Sequence, residues 1–301
     1  MIRLLSSELL RARSRKLVKV LLIVGVLAIV VGVTIGAFNS FRPSAADLAQ
    51  ARHAMAANLR NCMSSSGPGG QQDAGLTAAQ CRIPLREFLQ SKAFDVNDIG
   101  NLLRGTSVNL IVIGWLIGAS LAGAEWAAGT MTTLLAWEPR RVRVLLAKLV
   151  AAIVTVLVLT LALQLILAGG LWLLAATRGV NVPEPGLWHG VFGSMLRVSA
   201  IASVAGVFGM AIAMYTRSVA AAMASGFIYL AVLEGLIRAY RPGLSRYLVG
   251  DNAAAWITGR PFSATDPSQA VSVAHAVVVL LTYSAILVTA AAVSFRSRDV
   301  T

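Results

Sequence analysis

The run LVAAIVTVLVLTLALQLILAGGLWLLAA, residues 149–176, contains no charge and no proline, and its length decides the fold. A hydrocarbon core about 30 Å thick is crossed by about 20 helical residues. Further segments meet that requirement at about 18–38, 106–124, 192–214, 219–237 and 273–294. Backbone polar groups have no partners in lipid, so such segments must be helices. The alternation of about ten residues that marks barrel strands is missing. Composition agrees, with 57% apolar and 13% charged residues, where a soluble domain carries roughly 25% charge. The expected fold is all-α, a polytopic membrane protein of six transmembrane helices in a single transmembrane domain, 1–301. The run at 149–176 is overlong and must tilt or project beyond the bilayer.

The first apolar run has a second reading as a signal peptide. It exceeds the 7–15 residues of a typical apolar signal core, which favours a retained span. Six spans put both termini on one side. With that side cytoplasmic, the inner segments 1–17, 125–148, 215–218 and 295–301, with Lys19 at a span edge, hold half of the 26 basic residues. The outer loops spread a similar number over more than twice the length, so basic density predicts cytoplasmic termini and a multi-pass plasma-membrane location. The net charge of +13 then reflects topology and attraction to anionic lipids, and no nucleic-acid partner is expected.

Cys62 and Cys81 are the only cysteines, and both fall in the long outer loop at 39–105. An oxidising compartment would let them bond around the turn-rich Ser64–Gln72 stretch, with two free thiols as the alternative. Flanking segments 44–62 and 76–95 read as short polar helices. No paired histidines accompany the cysteines, so no metal site is expected. Residues 1–17 read as an amphipathic interfacial helix, with Ile2, Leu5, Leu9 and Ala12 at helical spacing and Arg3, Glu8, Arg11 and Arg15 on other faces. Such a helix lies among the head groups as an anchor. A contact with a cytoplasmic partner is the sharper reading.

Between the second and third spans lies a charged segment, 125–148. Glu125 ends a span, where a charge must face water or a basic partner. Gly129-Thr130 offers a permissive backbone and a hydroxyl cap. Met131 to Trp137 is a short apolar stretch of a size to fit a partner's groove. Pro139 interrupts the helix, and Arg140, Arg141, Arg143 and Lys148 would anchor the next span to head groups. An ordinary positive-inside loop is the plainer reading.

The run Glu125, Gly129-Thr130, Leu134-Leu135, Pro139, Arg141 and Lys148 resembles the acidic–Gly-Thr–Leu-Leu–Pro–Arg–Lys signature of type 2 ABC transporter permeases. The layout is also similar, as is the closing Phe295–Val300 with its Arg-Asp pair. Arg140 departs from the pattern, which usually has a small polar residue there. The resemblance implies a permease domain and an exporter. A cytoplasmic coupling helix would transmit force from separate P-loop ATPase subunits through Glu125, Gly129, Thr130, Pro139, Arg141 and Lys148. It also implies a second copy or a related permease, as homo- or heterodimer, among membrane lipids.

No G-x-x-x-x-G-K-[ST] motif occurs, so nucleotide would be bound elsewhere. No cofactor or enzymatic activity is expected. His53, His189 and His275 are isolated. Ser225 and His275 invite comparison with an intramembrane protease dyad, but span positions put them at different depths. A non-transporting scaffold or sensor remains the alternative class. Gly32-x-x-x-Gly36 and Gly114-x-x-x-Gly118 let helices approach closely, either within one subunit or at a dimer face. Glu234 is expected to pair with Arg238 four residues on, and Arg197 to snorkel outward. The segment 238–272 is turn-rich, with a short outer helix at Ala253–Ile257.

Overall fold

The computed structural model describes residues 2–40, 42–64, 81, 83, 85–89, 93–138, 140–264 and 266–297. The described residues are all-α, 86% of them helical, and include six helices long and apolar enough to span a membrane. The order is α1 (Ile2–Ser14), α2 (Lys16–Asn39), α3 (Ala45–Ser64), α4 (Ile99–Gly105), α5 (Ser107–Ala127), α6 (Thr130–Trp137), α7 (Arg141–Arg178) and α8 (Leu187–Thr216). Then follow α9 (Val219–Phe227), a π-helical stretch Ile228–Leu233, α10 (Glu234–Tyr240), α11 (Val249–Thr258) and α12 (Val273–Ser297). The six apolar helices are α2, α5, α7, α8, the continuous Val219–Tyr240 and α12.

The chain divides into two compact units. One comprises Met1–Leu27, Gly100–Ile166 and Trp188–Thr301, the other Ala28–Ile99 and Leu167–Leu187.

The larger unit is organised around α8, whose apolar window is 78% buried. Small residues allow this enclosure. Gly114 and Gly118 of α5 face the backbones of Ala202 and Gly206, while Gly209 faces Trp115 O and Ala119 N. Helices that touch through glycine gain close backbone packing that no side chain would permit. Trp115 seals the junction: its ring meets Phe208 edge-on at 6.5 Å, and its indole donates to Ala222 O at 3.0 Å. Gly114-x-x-x-Gly118 therefore packs within the subunit. By contrast, many large apolar side chains on these helices, such as Val108, Val158 and Leu281, are exposed. That pattern suits an apolar solvent and would be costly in water.

The smaller unit holds α3, capped by reciprocal bonds between Ser44 and Asp47, the Ser44 N–H and hydroxyl both donating to Asp47 Oδ2. These bonds hold the Asp47 carboxyl below its ordinary value. A two-residue parallel pairing joins β1 (Phe94–Asp95) to β2 (Gly179–Val180). Asn97 ties the same region, donating to Val182 O at 3.0 Å and accepting from Glu184 N–H at 2.9 Å. Cys62 is bonded to a buried Cys81. The expected helix at 44–62 occurs as α3. Where a helix was expected over 76–95, the described residues form a 3-10 turn, Leu85–Phe88, and the β1 strand. Backbone pairing to β2 competes with helix at the end of that segment. Reduction of the disulfide, or Cys62→Ser, is expected to lower unfolding stability by about 3 kcal/mol. A thermal melt with and without reductant checks this.

Candidate functional site

Four charged side chains meet inside the larger unit. Lys148, in the third turn of α7, is 2% exposed, and its Nζ donates to Glu8 Oε2 at 2.8 Å and Glu125 Oε2 at 2.5 Å. Arg15, between α1 and α2, donates from Nη2 to Glu125 Oε1 at 2.9 Å. The same guanidinium donates to the carbonyls of Ser120 and Leu121, at 2.6 and 3.2 Å. Glu8 is 5% exposed and Glu125 7%. Arg11 reaches Glu8 Oε1 at 3.3 Å from the rim.

Local sequence explains why these groups converge. Glu8 and Arg15 are seven residues apart, two helical turns, and buried Ala12 lies between them on the same side. Alanine lets this stripe of α1 approach. Glu125 occupies the last turn of α5, where the helix dipole disfavours a carboxylate. Arg15 answers that by bonding both the carboxylate and nearby carbonyls of the helix end. Two carboxylates against an ammonium and a guanidinium leave the buried group electrically balanced. A carboxylate removed from water persists only when paired in this way.

Beyond Glu125 the chain turns at Gly129, φ +66°, a left-handed conformation that costs other residues roughly 1–2 kcal/mol. The turn launches α6, which buries Met131 and Leu134 and leaves Trp137 86% exposed at its end. Thr130 donates to Glu125 O at 3.4 Å, tying the start of α6 to the end of α5. Arg141 opens α7 and donates to the carbonyls of Phe295 and Arg296 in the last turn of α12, at 2.9 and 3.3 Å. Trp126 packs edge-on against Phe295 at 6.1 Å and under the Arg217 guanidinium at 4.5 Å.

Of the residues singled out by sequence, Glu125 and Lys148 are thus in direct contact, and Gly129 and Thr130 adjoin them. Arg141 lies apart, against α12. Pro139 lies outside the described residues. Lys148 corrects the expectation of a head-group anchor: α7 begins at Arg141, so Lys148 is two turns inside the helix and faces the carboxylates. Sequence reading missed Glu8 and Arg15 as partners, although the single acidic residue of α1 and its seven-residue spacing to Arg15 were available signals.

Other sequence candidates have different surroundings. Ser225 donates to Ala222 O, and His275 bonds Arg246 O and lies against Tyr247, so the two engage separate partners. Glu234, 2% exposed, accepts from Arg238 at 3.0 Å and from Gly250 N–H at 2.8 Å. Arg238 also bonds Asp251 at 2.6 Å, which locks α10 to α11. Among the described residues, no cluster of three or more His, Cys, Asp or Glu is arranged to hold a metal ion. No family model, no curated protein and no solved structure matches the chain.

Proposed function

We propose that the chain is the membrane-spanning permease subunit of an ATP-driven ABC transporter, most simply an exporter. It lies in the plasma membrane with both termini cytoplasmic. Two ATPase subunits supply the energy, and a second permease copy or a related permease completes the pathway. The observation that carries this reading is α6: a short helix between two membrane-length helices, fixed inward by Met131 and Leu134, with Trp137 projecting free. A rigid, anchored helix ending in an exposed tryptophan suits a partner's groove, since tryptophan dominates protein interfaces.

The charged group gives that helix something to move. Force on α6 reaches Glu125 through Thr130, and from Glu125 it reaches α1 through Arg15 and α7 through Lys148. The amphipathic α1 would sit at the cytoplasmic surface beside the same partner. Coupling requires the ATPase to bind two arrangements of this group with different affinity; equal affinity would shift nothing.

Trp137→Ala tests the reading with little risk to folding, because the side chain is exposed. A tagged chain in mild detergent should copurify a P-loop ATPase. The variant should lose about 2 kcal/mol of that affinity, roughly thirtyfold in dissociation constant, and retain correspondingly less ATPase. Equal recovery with both chains, or no ATPase with either, would direct attention to a scaffold or sensor role.

A further inference from the structure

A second site lies in the larger unit, away from the charged group. A cavity of about 1000 Å³ opens among α5, α8, α9, α11 and α12, bounded also by the π-helical stretch. Its walls are apolar, with Val108, Ile111, Val204, Phe208 and Leu287 among them. Several wall groups that could bond a polar ligand are already engaged. The Trp115 indole donates to Ala222 O, the Tyr283 hydroxyl to Tyr247 O, and the Thr258 hydroxyl to Ala254 O. The Tyr229 hydroxyl accepts from Val249 N–H.

One charged residue lines the cavity, Arg104, at the end of α4 just ahead of α5. Its Nε donates to Ser194 Oγ at 3.1 Å and its Nη1 to Asn101 Oδ1 at 3.3 Å. These bonds to neutral groups fix the guanidinium plane, and among the described residues no carboxylate pairs with it and its Nη2 has no acceptor. From Arg104 at the end of α4 to Trp115 in α5 is about 16 Å at 1.5 Å per residue. That is roughly half of a 30 Å hydrocarbon core, the depth of one leaflet.

The geometry points to this cavity as a binding site for an anionic amphiphile, its apolar body between α5, α8 and α12 and its acidic head on Arg104. An apolar wall selects by shape and size, and a single positioned cation selects the head-group charge. As the substrate class of the proposed transporter this rests on the reading above; binding itself needs neither ATP nor a partner.

The test uses the full chain in phosphatidylcholine nanodiscs, with dansyl-undecanoic acid and its methyl ester as probes. Energy transfer from tryptophan, corrected with empty nanodiscs, reports binding. The acid should bind about tenfold more tightly than the ester. Arg104→Gln should erase that preference while leaving ester binding intact, and Ala254→Phe, which fills the cavity, should weaken both probes. Competition identifies the source of the ligand: displacement by phosphatidylglycerol indicates a bilayer lipid, and displacement by decanoate alone a free acid, and either supports the site. Equal binding of acid and ester, or binding unchanged in both variants, overturns it. Failure to recover an ATPase with Trp137 intact would leave this result standing, so the two proposals fail separately.

Discussion

Lys148→Met is expected to lower the unfolding free energy by about 3–5 kcal/mol, because it leaves two carboxylates facing each other without their shared ammonium. Among the described residues, Glu8 then retains Arg11 at the rim and Glu125 retains Arg15. The chemistry of the replacement is not the cause, since methionine fits the apolar stem of lysine closely. A second variant isolates the charge. Glu8→Gln with Lys148→Met removes one charge of each sign and leaves Glu125 paired with Arg15 at 2.9 Å. The double variant should therefore be more stable than Lys148→Met alone, an interaction of the kind that a double-mutant cycle measures. Thermal unfolding in detergent, followed by tryptophan fluorescence, reads all three chains. A Lys148→Met protein as stable as the original would mean that water reaches the carboxylates and that the group is not a buried device.

The same residues show what a sequence can and cannot disclose. The spans were legible because about 20 consecutive apolar residues have few other uses. Their ends were less so. Hydropathy starts the third at 149, whereas α7 begins at Arg141, because arginines at a helix start look like loop charges until their helix is seen. The expected Ala253–Ile257 helix lies inside a longer α11, and the Glu234–Arg238 pair at four-residue spacing occurs as expected, with Asp251 as an unforeseen third member. Glu125 was recognisable as a charge in need of a partner, but hydropathy cannot say which cation supplies it. Its neighbour Glu8 is 140 residues from Lys148 along the chain, and only tertiary packing brings them together. Arg197 is exposed, and its guanidinium lies against Gly259, a glycine at φ +67° just past α11. The apolar cavity left no sequence mark, since its lining residues are indistinguishable from those that face lipid.

Gly118→Ala is expected to disrupt the protein, whereas Gly32→Ala should be neutral or mildly stabilising, although both belong to G-x-x-x-G pairs. A methyl group at Gly118 would fall on the carbonyl of Gly206 in α8, which is backbone and cannot rotate away. Neighbouring Gly114 meets the Ala202 carbonyl in the same way, so α5 cannot slide to make room. Overpacking a tight core usually costs about 1–3 kcal/mol, and a backbone collision between two buried helices belongs at or above the upper end. At Gly32 an added methyl meets open space, and alanine is favoured over glycine in a helix by about 1 kcal/mol. Size-exclusion profiles and thermal midpoints of the two variants in one detergent make the comparison. Loss of the monodisperse peak for Gly118→Ala alone would place the first requirement for this motif inside the subunit, on the α5–α8 seam. If instead Gly118→Ala kept its stability and Gly32→Ala changed the oligomeric state, the α5–α8 seam could not be as close as the carbonyl contacts require.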